Sequence, residues 1–240
     1  MTPDDDTTPA RGPDSLSKRC LDIGYFTNRP REVLTFWRDE LGLAVEQAVP
    51  YNDGLVQYRH ALGDSILKVN ISRRTLPADV PGGYRELLVA RPDVAAPRAL
   101  RDPDGNAVTL VPPGHLGIAG VGLRLGVADL ARARRFYRDT MGYVELAPDH
   151  YLAGDSVLLL EHDPAARPAG HWVNLGLRYV TLHVKRVDRA WQAFVAAGAT
   201  QGEAPYDIGR IARISFVRDP EGQWIEVAQR ASLAGPWWTD

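Results

Sequence analysis

The chain has 240 residues, 45% of them hydrophobic and 24% charged, with a formal net charge of −2. That balance excludes a general nucleic-acid or acidic-membrane binder, which needs a basic surface. Cys20 is the single cysteine, so an internal disulfide, thiolate metal clusters and CxxC redox motifs are excluded, and a reducing cytoplasm is the expected location.

Residues 1–17, opening MTPDDDTTPARGPDS, are acidic and rich in Pro and Thr. They are expected to form a disordered tail, and they carry no apolar core of a signal peptide. Residues 20–27 read as a strand. A Pro30-led helix follows, with Val33, Phe36, Trp37 and Leu41 at helical spacing and Gly42 as its C-terminal cap. Strands are predicted near 55–61 and 65–70. Pro112-Pro113-Gly114 interrupts any regular element and marks a linker over 112–116. Beyond it, LRLGV leads to Asp129 as N-cap of a helix bearing Leu130, Ala133, Phe136 and Tyr137. Strands at 150–153 and 156–161 come next, then a strand at 178–185 and a helix with Val187, Ala190, Trp191, Phe194 and Val195. Two more strands near 212–218 and 223–229 are joined by the turn Asp219-Pro220-Glu221-Gly222. No apolar run is long enough to span a bilayer. In the tail 231–240, Trp237 and Trp238 are expected to pack on the chain's own barrel, with a partner subunit's surface as the alternative.

The chain repeats itself. VLTFWRDELGL at 33–43 matches ARRFYRDTMGY at 133–143, an offset of 100 residues. GDSILKV at 63–69 matches GDSVLLL at 154–160, YRELLV at 84–89 matches YVTLHV at 179–184, and DPDGNAVTLV at 102–111 matches DPEGQWIEVA at 219–228. Four matches in the same order make residues 18–111 and 117–230 two related copies. Tyr84 to Asp102 spans 18 positions where Tyr179 to Asp219 spans 40, so the first copy is expected to have lost a helix, with or without a strand beside it.

A strand, then a helix ending FYRD-xx-G, then strands, then DPEG-QWIE, resembles the glyoxalase / bleomycin-resistance / extradiol-dioxygenase superfamily, the vicinal-oxygen-chelate (VOC) fold. The resemblance covers roughly residues 20–229. It implies an α+β chain of tandem βαβββ modules that form two half-open mixed-sheet barrels, the first copy shortened. It also implies a small organic molecule in a barrel pocket, and a monomer or homodimer without nucleic-acid or membrane partners. The family's reactions are varied, so fold alone does not name one.

Metal-using members of that family place His, Glu or Gln on four inward strand positions, suited to divalent ions. Carried over, those positions are Asp22 and Gly122, Lys68 and Leu159, Tyr84 and Tyr179, and Thr109 and Glu226. Only Asp22 and Glu226 among them are carboxylates. No cofactor is expected, and if a divalent metal is held, Glu226 is its best ligand. Extradiol chemistry would need two histidines and a glutamate here, which neither copy supplies.

Strand alternation places Gly122, Arg124 and Gly126 inward, with Tyr179, Thr181 and His183, and puts Trp224 on a face with Glu226 and Leu159 with Glu161. A pocket within copy two is therefore expected to hold Arg124, Tyr179, Thr181, His183, Glu226 and Glu161, with Trp224 as an aromatic wall. Glu226, His183, Arg124 and Tyr179 are the candidate catalytic groups. An Arg124–Glu226 ion pair filling the vacated metal space is the alternative. In copy one, Asp22, Lys68 and Tyr84 face inward, and Asp22 with Lys68 form either a catalytic or a structural pair. His60, His115, His150, His162 and His171 are expected to be structural or solvated.

Three functions stay open. The leading one is a metal-independent or atypical lyase, isomerase or cyclase working by acid–base residues. The second is metal-free binding or sequestration of a small molecule. The third is a conventional divalent-metal enzyme of glyoxalase or dioxygenase type, with the strand register displaced.

Overall fold

The computed structural model describes residues 10–52, 54–78 and 82–238. Four modules follow one another. The first is β1 (Asp22–Thr27), α1 (Pro30–Leu34, continued by wider-wound turns over Thr35–Glu40), β2 (Val45–Asn52), β3 (Leu55–Leu62) and β4 (Ser65–Ser72). The second has only β5 (Tyr84–Ala90), β6 (Arg98–Arg101) and β7 (Ala107–Val111). The third repeats the first: β8 (Val121–Val127), α2 (Leu130–Arg135, continued over Phe136–Thr140), β9 (Val144–Ala147), β10 (His150–Ala153) and β11 (Ser156–His162). The fourth is β12 (Gly176–His183), α3 (Val187–Ala196), β13 (Thr200–Ile208), β14 (Ala212–Arg218) and β15 (Trp224–Arg230), followed by the short α4 (Ala231–Ala234).

Local chemistry explains why the copies read alike. The Asp129 carboxylate caps α2 by accepting the Arg132 N–H at 2.9 Å. Both FYRD-type helices end at a glycine in the left-handed region, Gly42 at φ 69° and Gly142 at φ 72°. In both DPxG turns one aspartate oxygen accepts two backbone N–H groups. Asp102 holds those of Asp104 and Asn106 at 3.0 and 2.8 Å, and Asp219 those of Glu221 and Gln223 at 2.9 and 2.8 Å. Between β5 and β7 there is no counterpart of α3 or β13, so the short spacing in copy one does reflect a lost helix and a lost strand.

The sheets do not follow the copies. An eight-stranded sheet runs β13-β14-β15-β12-β1-β4-β3-β2, and a seven-stranded one runs β6-β7-β5-β8-β11-β10-β9. Module one therefore joins module four through the antiparallel β1–β12 pair, and module two joins module three through β5–β8. The eight-stranded sheet takes four strands from each copy, and the seven-stranded one takes three from the first and four from the second. The helix-bearing faces of both sheets share one core, which includes Trp37, Tyr137, Phe194, Leu67, Leu123 and Ile225. Side chains of that size stabilise by about 1.5–3 kcal/mol each when fully buried. The other face of each sheet has its own smaller cluster.

From Ala10 the chain packs on the fold, where a tail to residue 17 was expected; residues 1–9 lie outside the described residues. Leu16 bridges Val184, Ser17 N donates to His183 O at 2.9 Å, and Arg11 donates to the end of the third module's helix at Thr140 O, 2.8 Å. These backbone partners hold a polar segment that its composition alone would leave free. At the other end Trp237 and Trp238 meet edge to face at 4.6 Å, with the Arg210 guanidinium 5.6 Å from the Trp238 ring centre. No helix among the described residues is long and apolar enough to cross a membrane.

Candidate functional site

The inner face of the eight-stranded sheet collects polar groups from four strands. In register, Gly24 lies beside Lys68, Asp22 opposite Thr181, and Thr181 beside Glu226. Side chains two apart share a face, so Asp22, Lys68, Thr181, His183 and Glu226 converge, and each is at most 4% exposed. Lys68 Nζ donates to Glu226 Oε2 at 2.6 Å and to Thr181 Oγ1 at 2.7 Å, while the Thr181 hydroxyl donates to Glu226. His183 Nε2 meets Asp22 Oδ2 at 2.7 Å. The other Asp22 oxygen accepts from Lys18 Nζ at 2.6 Å and from Ile66 N at 2.9 Å.

Burial and pairing oppose each other here. Burial alone would raise the Asp22 carboxyl, but His183, Lys68 and Lys18 outweigh it and hold it far below the ordinary carboxylate range. Burial would also raise Glu226, and Lys68 with the Thr181 hydroxyl turns the shift downward. Burial lowers His183 despite Asp22, so the imidazole is neutral at pH 7. An ionised Asp22 accepts only, which places the imidazole proton on Nε2. Nδ1 is then an unprotonated acceptor, and it is buried with no hydrogen-bond partner among the described residues.

A narrow cleft of about 30 Å³, room for a water or two, reaches His183, Lys68 and Glu226 past Arg59, Tyr51 and Arg230. Tyr51 and Ile208 also line an outer pocket of about 510 Å³, whose other walls include Leu55, Leu76, Trp172 and Tyr206. The pocket thus lies where the edge strands β2 and β13 leave the curled sheet open. Trp172 is braced by stacking on Phe216 at 4.9 Å and by its indole N–H to Glu203 at 2.9 Å. Tyr179 lies flat against Gly24, where a Cβ would be 2.1 Å from its ring. Its hydroxyl accepts from Asn70 at 3.3 Å.

The seven-stranded sheet is filled differently. Leu88, Val111, Ile118, Val157 and Leu159 form an apolar plug, with Ile118 in the space that a side chain at Gly122 would take. Beside the plug, Arg124 Nε donates to Glu86 Oε2 at 2.9 Å, Thr109 donates to Glu86, and Glu161 is 3.9 Å from Arg124.

Several expectations are corrected. Arg124 and Glu161 are not in one pocket with His183, Glu226, Tyr179 and Thr181, because strands of the same copy do not complete one sheet. Glu226 pairs with Lys68 in place of Arg124, and Asp22 pairs with His183 in place of Lys68. Tyr84 turns into the shared core, its hydroxyl donating to Trp224 O at 3.1 Å, because the β5–β8 register shifts between Tyr84 and Glu86. Trp224 is 7% exposed, its indole N–H held by Gly170 O at 2.8 Å, and Trp172 is the tryptophan on the pocket wall. Arg59, Arg230, Tyr51 and Tyr206 were missed. Arg230 shares strand parity with Glu226 and could have been found; Tyr51 and Tyr206 sit on irregular edge strands where parity fails.

The residues present do not fit the divalent metal that the resemblance suggests. The Lys68 ammonium sits among the oxygens of Glu226 and Thr181, where a second cation would be repelled. Asp22 is engaged by His183, and no group of three His, Cys, Asp or Glu among the described residues has metal-binding geometry.

A glyoxalase I mutant from Zea mays has the same architecture, with a TM-score of 0.70 at 15% identity over 89% of this chain and 94% of that one. A putative dioxygenase from Bacillus subtilis subsp. subtilis str. 168 gives 0.67 at 16% identity, over 92% of this chain and 86% of that one. These likenesses concern the fold. No curated protein matches the chain by sequence. Residues 115–227 match the Glyoxalase/Bleomycin resistance protein/Dioxygenase superfamily. Residues 115–227 therefore carry a domain of that superfamily, and across both copies the chain has the two-barrel fold of the glyoxalase I structure.

Proposed function

We propose that the chain is a metal-independent enzyme, of lyase or isomerase type, that moves a proton on a small organic molecule held in the eight-stranded barrel. The observation that carries this reading is the buried Asp22–His183 pair, whose Nδ1 has no hydrogen-bond partner among the described residues, set beside Lys68–Glu226 at a narrow cleft that adjoins the aromatic pocket at Tyr51 and Ile208. His183 Nδ1 takes a proton from a carbon acid, and Asp22 stabilises the imidazolium that results. The electron pair stays on the substrate as an enolate, and the Lys68 ammonium faces that charge in a site with little water. Returning the proton to another atom completes an isomerisation; loss of a neighbouring leaving group completes an elimination.

The test is solvent exchange. A panel of small enolisable carbonyl compounds is incubated with the protein in D2O, and loss of the α-proton signal is followed by NMR. Exchange that vanishes in His183→Gln while binding persists supports the reading. Exchange that survives in His183→Gln, or no exchange of any bound compound, contradicts it.

A second reading, binding without turnover, is favoured by one observation. The outer pocket is large and aromatic, whereas the polar floor is reached only through the narrow cleft. A compound bound in the outer pocket and recovered unchanged would support it.

A further inference from the structure

The charges lining the inner cleft do not balance. Arg59, Lys68 and Arg230 face it, and among the described residues that line it Glu226 is the one carboxylate. Lys68 and Glu226 neutralise each other at 2.6 Å. Arg59 is 7% exposed, donates to the neutral Gln57 at 3.1 Å and forms an ion pair with Asp22 at 3.6 Å. Asp22 already answers His183, Lys18 and the Ile66 N–H. The partly buried Arg230 guanidinium makes no hydrogen bond or close ion pair among the described residues. Burial, and then the neighbouring Arg59, lower its hold on its proton. Cations taken out of water are normally paired; with Asp22 shared among Arg59, Lys18 and His183, the Arg230 guanidinium beside Arg59 is left without an anion.

We infer that the ligand supplies it: a small molecule with a carboxylate head seated between Arg59 and Arg230, and an aromatic or apolar body in the outer pocket against Tyr51, Trp172 and Tyr206. The inference rests on the same pocket as the proposed proton transfer and names the class of molecule that fills it. A guanidinium fork matches the two oxygens of a carboxylate. The cleft holds about the volume of a water or two, which suits a planar carboxylate better than a tetrahedral phosphate. Tyr51 and Ile208 border both spaces, so one molecule spans them. The head group then lies beside Lys68, Glu226 and His183, which line the same cleft.

The test uses the full chain and matched probes: 2-naphthoate and 4-phenylbutyrate, their primary amides, and naphthyl and phenylbutyl phosphate. Binding is read by calorimetry and by tryptophan fluorescence, to which Trp172 contributes. The carboxylates should bind about tenfold or more tighter than the amides, as charge-assisted pairing implies. Arg230→Gln should remove most of that preference while amide binding stays the same, and Arg230→Lys should restore part of it. Arg98→Gln, exposed on β6 of the other sheet, should leave the preference in place. Equal binding of acid and amide, a preference unchanged in Arg230→Gln, tighter binding of the phosphates, or no binding by any probe would overturn the inference. An enolisable carboxylate, such as 2-oxo-4-phenylbutyrate, that binds through Arg230 yet undergoes no exchange in D2O would overturn the proton-transfer reading alone. Exchange on a neutral compound, with no preference for carboxylates, would overturn this one alone.

Discussion

Lys68 of the first copy and Glu226 of the second meet at 2.6 Å across the eight-stranded sheet, both side chains nearly fully buried. Each stands at the end of its own module, on β4 and on β15, beside the module's first strand. The two copies thus build one site, and neither builds it alone.

That pair has a measurable signature. Removing one partner leaves a buried charge without an answer, so Lys68→Met and Glu226→Gln should each destabilise by about 3–5 kcal/mol. The double variant leaves no buried charge unanswered and should lose no more than either single one, a coupling of about 3–5 kcal/mol. Urea denaturation of the four proteins decides it, and strictly additive losses would show that the two residues do not depend on each other.

Gly24 is predicted to be intolerant for a reason of space. Its backbone would accept a side chain, but a Cβ would strike the Tyr179 ring at 2.1 Å. Gly24→Ala should cost about 1–3 kcal/mol, typical of overpacking, and should weaken ligand binding by moving Tyr179. A thermal melt and a ligand titration test both parts, and an unchanged melting temperature would contradict the packing.

How much of this was legible beforehand depends on the type of signal. Strand facing was readable: Val180 and Leu182 lie in the shared core while Thr181 and His183 face the site, since alternation is a local property. The DPxG turns and the lost helix were readable from spacing, because one aspartate and one glycine set each turn. Which strand pairs with which was not. The repeat identifies Asp22 and Gly122 as counterparts, but nothing in it says that β1 pairs with β12 and not with β5. The irregularity at Tyr84 was equally invisible, since a bulge shifts facing without altering the residue pattern.

Asp219 carries the clearest pH dependence. Burial raises its carboxyl to about 6, against the hydrogen bonds from Gln223 N, Tyr137 and Glu221 N. Its folded-state value lies above the unfolded one, so the stability it contributes is full below about pH 4 and is lost as pH rises to about 6. The loss should approach about 3 kcal/mol. In Asp219→Asn the amide oxygen can keep both backbone bonds, and this segment of the pH profile should be flat. Chemical denaturation from pH 4 to 7 of both proteins checks it; parallel profiles would contradict the assignment.

Asp22 and Glu226 act in the opposite direction. Both are held below the ordinary carboxylate range, so their contribution is present above about pH 4 and is lost as acid protonates them in the folded state. Acid unfolding should therefore shift to higher pH in Lys68→Met, which leaves Glu226 without its ammonium partner. A midpoint unchanged from the parent protein would contradict the pairing.

The most direct test of the central claim, that an ammonium occupies the centre where a divalent cation would otherwise sit, is metal content. The purified protein is incubated with Fe(II), Mn(II), Ni(II) and Zn(II), dialysed and measured by elemental mass spectrometry. No stoichiometric metal is predicted, because Lys68 already neutralises Glu226 and His183 already holds Asp22. One equivalent retained through dialysis, and lost in Glu226→Gln, would contradict the account.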